Sequence, residues 1–406
     1  MRRFLPSLAS AKPVLAAPVL GALVLAAPAA AQSAPGARAF AMGGTGVAVA
    51  EPYAAAFANP ALVRFRDEGV PRGLGSWLSA AGGDPNGLQD RIDTFQDTLD
   101  ELQARIDAMD PGGDALRPIL VDQLQDLDGR EAVGRADSGV SAVLPLTDAT
   151  VAFSGRLRVE ARLFPRVVDS DVAILTDPMA TPEELDALDT AGVVYGAETT
   201  EFGVTVAREA KWGDTRFSIG VTPKFASIDV TNFVRTVSTF EDDDLVDDLR
   251  AGERQVREEF FNVDAGIAVE LEEGVLLGLA VRDAIRRDVR SSAFDGPAFT
   301  YRVRARPTAG LAVSRGPVTF TAEADLRPAR PFSDAGTSQF VRMGGEASLG
   351  GRVFLRAGFA HDLRDTFPDV FSAGIGGPTG LGIGWSLGAQ IGEESAGAAL
   401  EASFSF

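Results

Sequence analysis

Among its 406 residues the chain has one histidine, His361, and no cysteine. Without cysteine there are no thiolate nucleophiles, disulfides or Cys-ligated metals. A single histidine supplies neither a multi-histidine zinc site nor an ordinary triad. His361 lies beside Asp362 and near Asp365, but catalysis needs a nucleophile placed against the base, and none is recognisable. An enzyme is therefore not expected, nor is a cofactor. The charges that could act lie elsewhere, at alternate positions: Arg156, Arg158 and Glu160; Arg302, Arg304 and Arg306; Glu323, Asp325 and Arg327. Lys224, Asp264, Glu270, Arg342, Glu346 and Arg356 occupy similar settings. Successive strand side chains point to opposite faces, so each set shares one face while its apolar neighbours share the other. Charges enclosed at low dielectric must be paired. The expected chemistry is a ladder of ion pairs along an interior wall. Such a ladder serves either as a polar path with a gate or as filling for a closed barrel, and both readings stand.

The elements that carry these charges are short-turned strands. In the closing stretch Leu400, Ala402, Phe404 and Phe406 alternate with Glu401, Ser403 and Ser405, and Leu381, Ile383, Trp385 and Leu387 alternate with Gly382, Gly384, Ser386 and Gly388. Strands of about ten residues with this dyad pattern predict a transmembrane barrel. A soluble β-sandwich alternates too, but its strands average about five to six residues. Strands are predicted near 70–81, 138–146, 150–160, 199–209, 215–227, 260–271, 275–283, 299–314, 317–327, 339–349, 352–362, 369–376, 380–391 and 397–406. Their connections alternate short and long, as periplasmic turns and outer loops do in outer-membrane barrels. The fold class expected is all-β, an antiparallel outer-membrane β-barrel of about 14 strands with both termini periplasmic. On the 299–314 strand, Tyr301, Val303 and Ala305 are expected to face lipid. Arg302, Arg304 and Arg306 are expected to face the lumen with Arg156, Arg158, Glu323, Asp325, Arg342 and Arg356.

The N-terminus is consistent with export. Arg2, Arg3 and Lys12 precede an Ala/Leu/Val run, and Ala29-Ala30-Ala31 precedes Gln32. This is the pattern of a secretory signal peptide over residues 1–31, cleaved after Ala31. Loss of its three cations takes the formal charge from −19 to −22, which disfavours direct contact with nucleic acid. The expected surroundings are outer-membrane lipid and lipopolysaccharide.

The mature chain opens with Gly36-Ala37-Arg38-Ala39-Phe40-Ala41-Met42-Gly43-Gly44-Thr45-Gly46-Val47-Ala48 and later Asn59-Pro60-Ala61-Leu62. Gly44-x-Gly46 lacks the preceding strand and third glycine of a phosphate loop. The segment instead resembles the N-terminal hatch of the FadL-like outer-membrane transport superfamily, and more closely the conjugal-transfer TraF-type family of outer-membrane proteins. The resemblance implies a plug over residues 32–69 that folds back into a barrel formed by 70–406, with Arg38, Met42, Gly43, Gly44, Gly46, Asn59, Pro60 and Ala61 as its motif. It also implies one of two functions. The FadL-like kinship points to passive uptake of a hydrophobic small-molecule cargo past the hatch. The TraF-type kinship points to an assembly component partnered by conjugation-apparatus proteins.

An insertion over 84–131 differs in kind. Leu88, Ile92, Phe95, Leu99, Leu102, Ile106 and Met109 follow a heptad seam, Asp110-Pro111-Gly112-Gly113 stops it, and Leu116, Leu120, Leu124 and Leu127 continue it. Two helices in a hairpin are predicted, packing on each other or on the barrel rim. Between the predicted strands near 215–227 and 260–271, Glu241-Asp242-Asp243-Asp244-Leu245-Val246-Asp247-Asp248 lacks the spacing of an EF-hand loop. A solvated acidic outer loop is expected, with lipopolysaccharide bridged through divalent cations as the alternative.

Overall fold

An alternating strand buries one face only if the sheet closes or is covered, and this sheet closes. In a computed structural model that describes residues 35–406 apart from 66–69, 71, 85–86, 237–254, 294–296 and 380, fourteen antiparallel strands form one barrel. The strands are β1 Gly73–Gly83, β2 Ala132–Pro145, β3 Thr150–Arg166, β4 Ala191–Trp212, β5 Thr215–Thr236, β6 Val256–Glu272, β7 Val275–Arg282, β10 Arg306–Arg315, β11 Val318–Asp325, β12 Phe340–Leu349, β13 Val353–Asp362, β14 Val370–Pro378, β15 Ile383–Gly392 and β16 Ser395–Ser405. Each pairs with its neighbour in sequence, except that β7 pairs directly with β10. The cylinder is sealed by β1 on β16, in register from Gly73↔Ser405 to Gly83↔Ser395. The predicted signal peptide and the acidic run 241–248 lie outside the described residues.

The two faces separate as the alternation requires. Phe225 is 70 % exposed and Phe202 66 %, while the adjoining Lys224 and Glu201 are at most 8 % exposed. Phe153, Phe261, Phe320, Phe371, Leu387 and Leu400 are exposed on other strands of the same wall. An apolar band of this kind is what hydrocarbon requires of a closed sheet. Glycine in the left-handed region, φ 56° at Gly316, makes the two-residue turn between β10 and β11 possible.

β4 and β5 are each 22 residues long. At about 3.3 Å per residue and a tilt of about 40°, they rise roughly 55 Å, well beyond a hydrocarbon core of about 30 Å. Their ladder lapses beside Pro223, which has no N–H to give: pairing stops at Gly203↔Lys224 and resumes at Val206↔Val221.

On the long-loop side the extended strands carry a helical cap. Helices α3 (Leu88–Asp107) and α4 (Arg117–Asp126) pack together, as the heptad seam predicts. They share their core with two helices that sequence reading left as loop, α5 (Asp169–Thr176) and α6 (Pro182–Asp186). Leu175, Leu185 and Leu188 join Leu88, Ile92, Phe95, Leu99, Leu102, Leu120, Leu124 and Leu127 there. The signal for α6 was legible: Thr181 accepts from Glu184 N while Glu184 accepts from Thr181 N, a capping box.

The single strand expected over 299–314 is a correction. The chain forms a two-stranded sheet of β8 (Arg287–Arg290) and β9 (Thr300–Val303) outside the barrel ladder, and only then enters β10. The phase is therefore reversed at this point. Tyr301 and Val303, expected on lipid, are buried with Val193, Tyr195, Phe299 and Phe332 in an apolar core above the barrel. Arg302 and Arg304 lie on the opposite side of that sheet, and Arg304 pairs with Asp288 at 2.6 Å. Once the wall has risen past the membrane, its inner face is free to be apolar, and the lipid rule no longer assigns sides.

Candidate functional site

Residues 35–65 occupy the barrel interior. The segment comprises α1 (Ala37–Ala41), α2 (Pro52–Ala58) and a 3₁₀ turn (Pro60–Val63). After α1, Gly43 and Gly44 take φ 72° and 86° to reverse the chain. The wall meets this segment with glycines on its inner face. A Cβ on Gly344 would lie 2.7 Å from the Met42 carbonyl oxygen, and one on Gly358 would overlap the Gly43 nitrogen. Gly266, Gly220 and Gly278 make room in the same way for Asn59, Pro60 and Val47. Glycine on the polar face of alternating strands was the readable signal for this docking, and sequence reading did not use it.

Polar contacts seat the segment. Glu323 accepts the N–H groups of Gly46, Val47 and Ala48 at 2.7, 2.5 and 3.2 Å through one oxygen. Arg38 donates twice to Glu346, at 2.8 Å each, and Arg356 donates to the same carboxylate at 2.6 Å. Asn59 donates to Val47 O and Ile267 O at 2.8 and 3.1 Å and accepts from Ala61 N at 3.1 Å. Ser218 donates to Ala61 O at 2.9 Å, and Gly43 N donates to Ser372 Oγ at 2.8 Å. All the motif residues thus face the wall. Arg342 reaches Asp325 at 2.8 Å beside the Glu323 seat.

Above α2 the wall carries a compact ion-pair layer. Lys224 Nζ lies 2.9, 3.0 and 2.8 Å from Glu201, Asp264 and Asp283. Arg156 pairs with Asp137, Arg135 with Glu160 at 2.7 Å, and Arg306 with Asp283 at 2.9 Å. Between this layer and Ala56 and Phe57 of α2, the free space is about 10 Å³, barely one water. On the other side a cavity of about 150 Å³ opens toward the long loops. Its walls include Tyr301, Phe332, Phe340 and Phe367, and its floor includes Arg158, Arg282 and Arg306. Tyr301 donates to Glu160, tying the β8–β9 sheet to the barrel wall. Of the lumen-facing candidates, Arg156, Arg158, Arg306, Glu323, Asp325, Arg342 and Arg356 line the interior. Arg302 and Arg304 instead form the lip of the cavity. His361 Nδ1 meets Asp369 at 2.7 Å at the barrel edge, with no nucleophile among its contacts.

Residues 56–325 match the family described as "F plasmid transfer operon, TraF, protein", a span that takes in the Asn59-Pro60-Ala61 turn, both helical insertions and nine of the fourteen wall strands. The chain belongs to the TraF family. No curated protein matches it. Among solved structures, the TraF-family chain is similar to a mutant of the TodX monoaromatic hydrocarbon channel, with 12 % identity, 91 % of this chain and 98 % of that one covered, and a TM-score of 0.50. The Pseudomonas putida toluene transporter TodX matches at 12 % identity over 91 % and 97 % of the two chains, with a TM-score of 0.48. The CymD monoaromatic hydrocarbon channel matches at 10 % over 92 % and 98 %, with a TM-score of 0.47. At such identities the likeness concerns fold. This TraF-family barrel shares the fold of the TodX channel mutant.

Proposed function

We propose that the protein is a passive outer-membrane transporter of hydrophobic small molecules in a Gram-negative bacterium, with residues 35–65 as its movable hatch and residues 1–31 as its cleaved export signal. The observation that carries this reading is the seat of the plug. It is held across the lumen by side-chain hydrogen bonds to Glu323, Glu346, Ser218 and Ser372, not by strand pairing with the wall. Such bonds exchange for water or a ligand at modest net cost. An aromatic-walled cavity on the long-loop side receives the cargo, and the ion-pair layer beneath it separates the cavity from the plug. Deleting residues 32–66 is expected to raise single-channel conductance in planar bilayers. Unchanged conductance would refute the hatch.

One observation favours a second reading. The space of about 10 Å³ between the ion-pair layer and α2 passes no cargo without rearrangement, as suits an assembly component of conjugal transfer that conducts nothing. The helical cap would then be the surface offered to conjugation-apparatus proteins. A gene deletion that leaves plasmid transfer frequency untouched would remove this reading.

A further inference from the structure

The chain is strongly acidic, yet the cavity above the ion-pair layer is lined by nine arginines and five carboxylates. Most of those carboxylates are already committed. Glu160 is held by Arg135 and Tyr301, Glu201 and Asp283 by Lys224, and Asp325 by Arg342. Two of the cations on the floor are not. Arg158 is 5 % exposed, and neither it nor Arg282 has an ion pair within 4 Å among the described residues. The Nε of each is buried without a hydrogen-bond partner. The charges that act most strongly on Arg282 are Arg306, Arg156 and Arg158, which repel it, and Asp325, which attracts it, whereas Arg158 is attracted by Glu201, Asp137 and Glu160 from beyond ion-pair distance. Guanidinium groups gathered this way in an enclosed space are costly unless an anion joins them, and their planar forks match an oxyanion in two-point geometry.

The rest of the cavity defines what the oxyanion is attached to. Tyr301 and Phe332 meet edge to face with centroids 5.3 Å apart, and Tyr195 and Phe299 stack behind them at 4.2 Å. The rings are therefore fixed, and they present a rigid apolar wall beside the arginine floor. A space of about 150 Å³ is the size that takes one benzene-like ring, on the scale of about 150 Å³ for an apolar cavity that binds benzene.

We propose that this cavity is a binding site for a small aromatic carboxylate, with its oxyanion between Arg158 and Arg282, flanked by Arg306, and its ring against Tyr301 and Phe332. The proposal rests on the uptake reading only for the direction of travel, since the binding stands alone.

The test is calorimetric titration of the full-length barrel in detergent with benzoate, benzyl alcohol and inorganic phosphate. Benzoate is expected to bind at least tenfold more tightly than either of the others: the alcohol lacks the charge, and phosphate lacks the ring. Arg282→Gln should weaken benzoate roughly tenfold or more, the loss of a charge-assisted hydrogen bond. Arg286→Gln, an exposed arginine outside the cavity lining, should leave it within twofold. Heat-modifiable migration shows whether Arg282→Gln still folds, and the wild-type titration decides even if it does not. No benzoate heat, equal affinity for benzyl alcohol, or phosphate binding as tight as benzoate would each overturn the assignment. Liposome swelling is read separately. A barrel that binds benzoate but admits no solute refutes uptake alone, and one that admits solutes without binding benzoate refutes this site alone.

Discussion

Glu323→Gln tests whether the plug is held by charge. One buried carboxylate oxygen accepts three consecutive plug amides. Bonds to a charged acceptor are worth about 1.5–3 kcal/mol each, against about 0.5–1.5 for a neutral one. Neutralising the acceptor without changing its shape therefore removes about 1 kcal/mol per bond. The three bonds share an atom and will not add in full, so about 2–3 kcal/mol is the expected loss. At about 1.4 kcal/mol per factor of ten, the plug should open roughly 30- to 140-fold more often. Hydrogen exchange followed by mass spectrometry, on the peptide that contains Gly46, Val47 and Ala48, reads this directly. Exchange in β14–β16 should stay at its wild-type rate, because the wall does not depend on the seat. If the plug amides keep their wild-type protection in a folded Glu323→Gln barrel, the carboxylate does not hold the segment.

Other outcomes follow from the same contacts. Gly358→Ala places a Cβ into Gly43 N and Met42 C, while a strand position accepts alanine, so the barrel should fold with its plug displaced. Protease cleavage within 36–65 should then speed up by at least tenfold, and unchanged cleavage would refute the close fit. Lys224→Met leaves Glu201, Asp264 and Asp283 without their shared cation, a loss of about 3–5 kcal/mol. The temperature at which the barrel loses its compact gel migration should fall clearly, and no fall would mean that the layer tolerates the extra charge. On the outer sheet, Arg304 donates to Asp288 and holds its carboxyl below the usual value of 3.8. A depressed carboxyl stabilises above its unfolded pKa and loses that contribution as pH falls through the folded one. Exchange protection of β8–β9 should therefore be flat at neutral pH and drop only below about 3.8; a drop near pH 6 would contradict this.

The barrel was legible because lipid forces one rule on every strand that crosses it. Phe320 outward with Thr321 and Glu323 inward, or Leu400 outward with Glu401 inward, follows from alternation alone, and so does the count of fourteen. The rule lapses where the wall leaves the membrane. Val193, Tyr195, Tyr301 and Val303 face an apolar core inside the extended sheet, so apolar no longer means outward. That is why 299–305 was read in the wrong phase and why β3, β4 and β5 ran longer than expected. Periodicity also says nothing about which strand meets which part of the plug. The pairing of Glu323 with Gly46, 277 positions apart, comes from closure rather than from any local pattern. Arg158 and Arg282 were readable as inward charges at most, because their lack of partners appears only when the neighbours are counted in space.

The seam between β1 and β16 sets the order in which this molecule can be built. The segment that fills the lumen lies upstream of β1, while the strand that shuts the cylinder on β1 is the last to be threaded. Residues 35–65 meet early strands first, through Ser141 on β2 and Ser218 on β5, but their seat stays incomplete until the later half of the wall is laid. Glu323, Glu346 and Ser372 then reach them from three different later strands. Assembly of the wall and capture of its contents become a single event, and a chain halted before β16 would have nothing to hold them in.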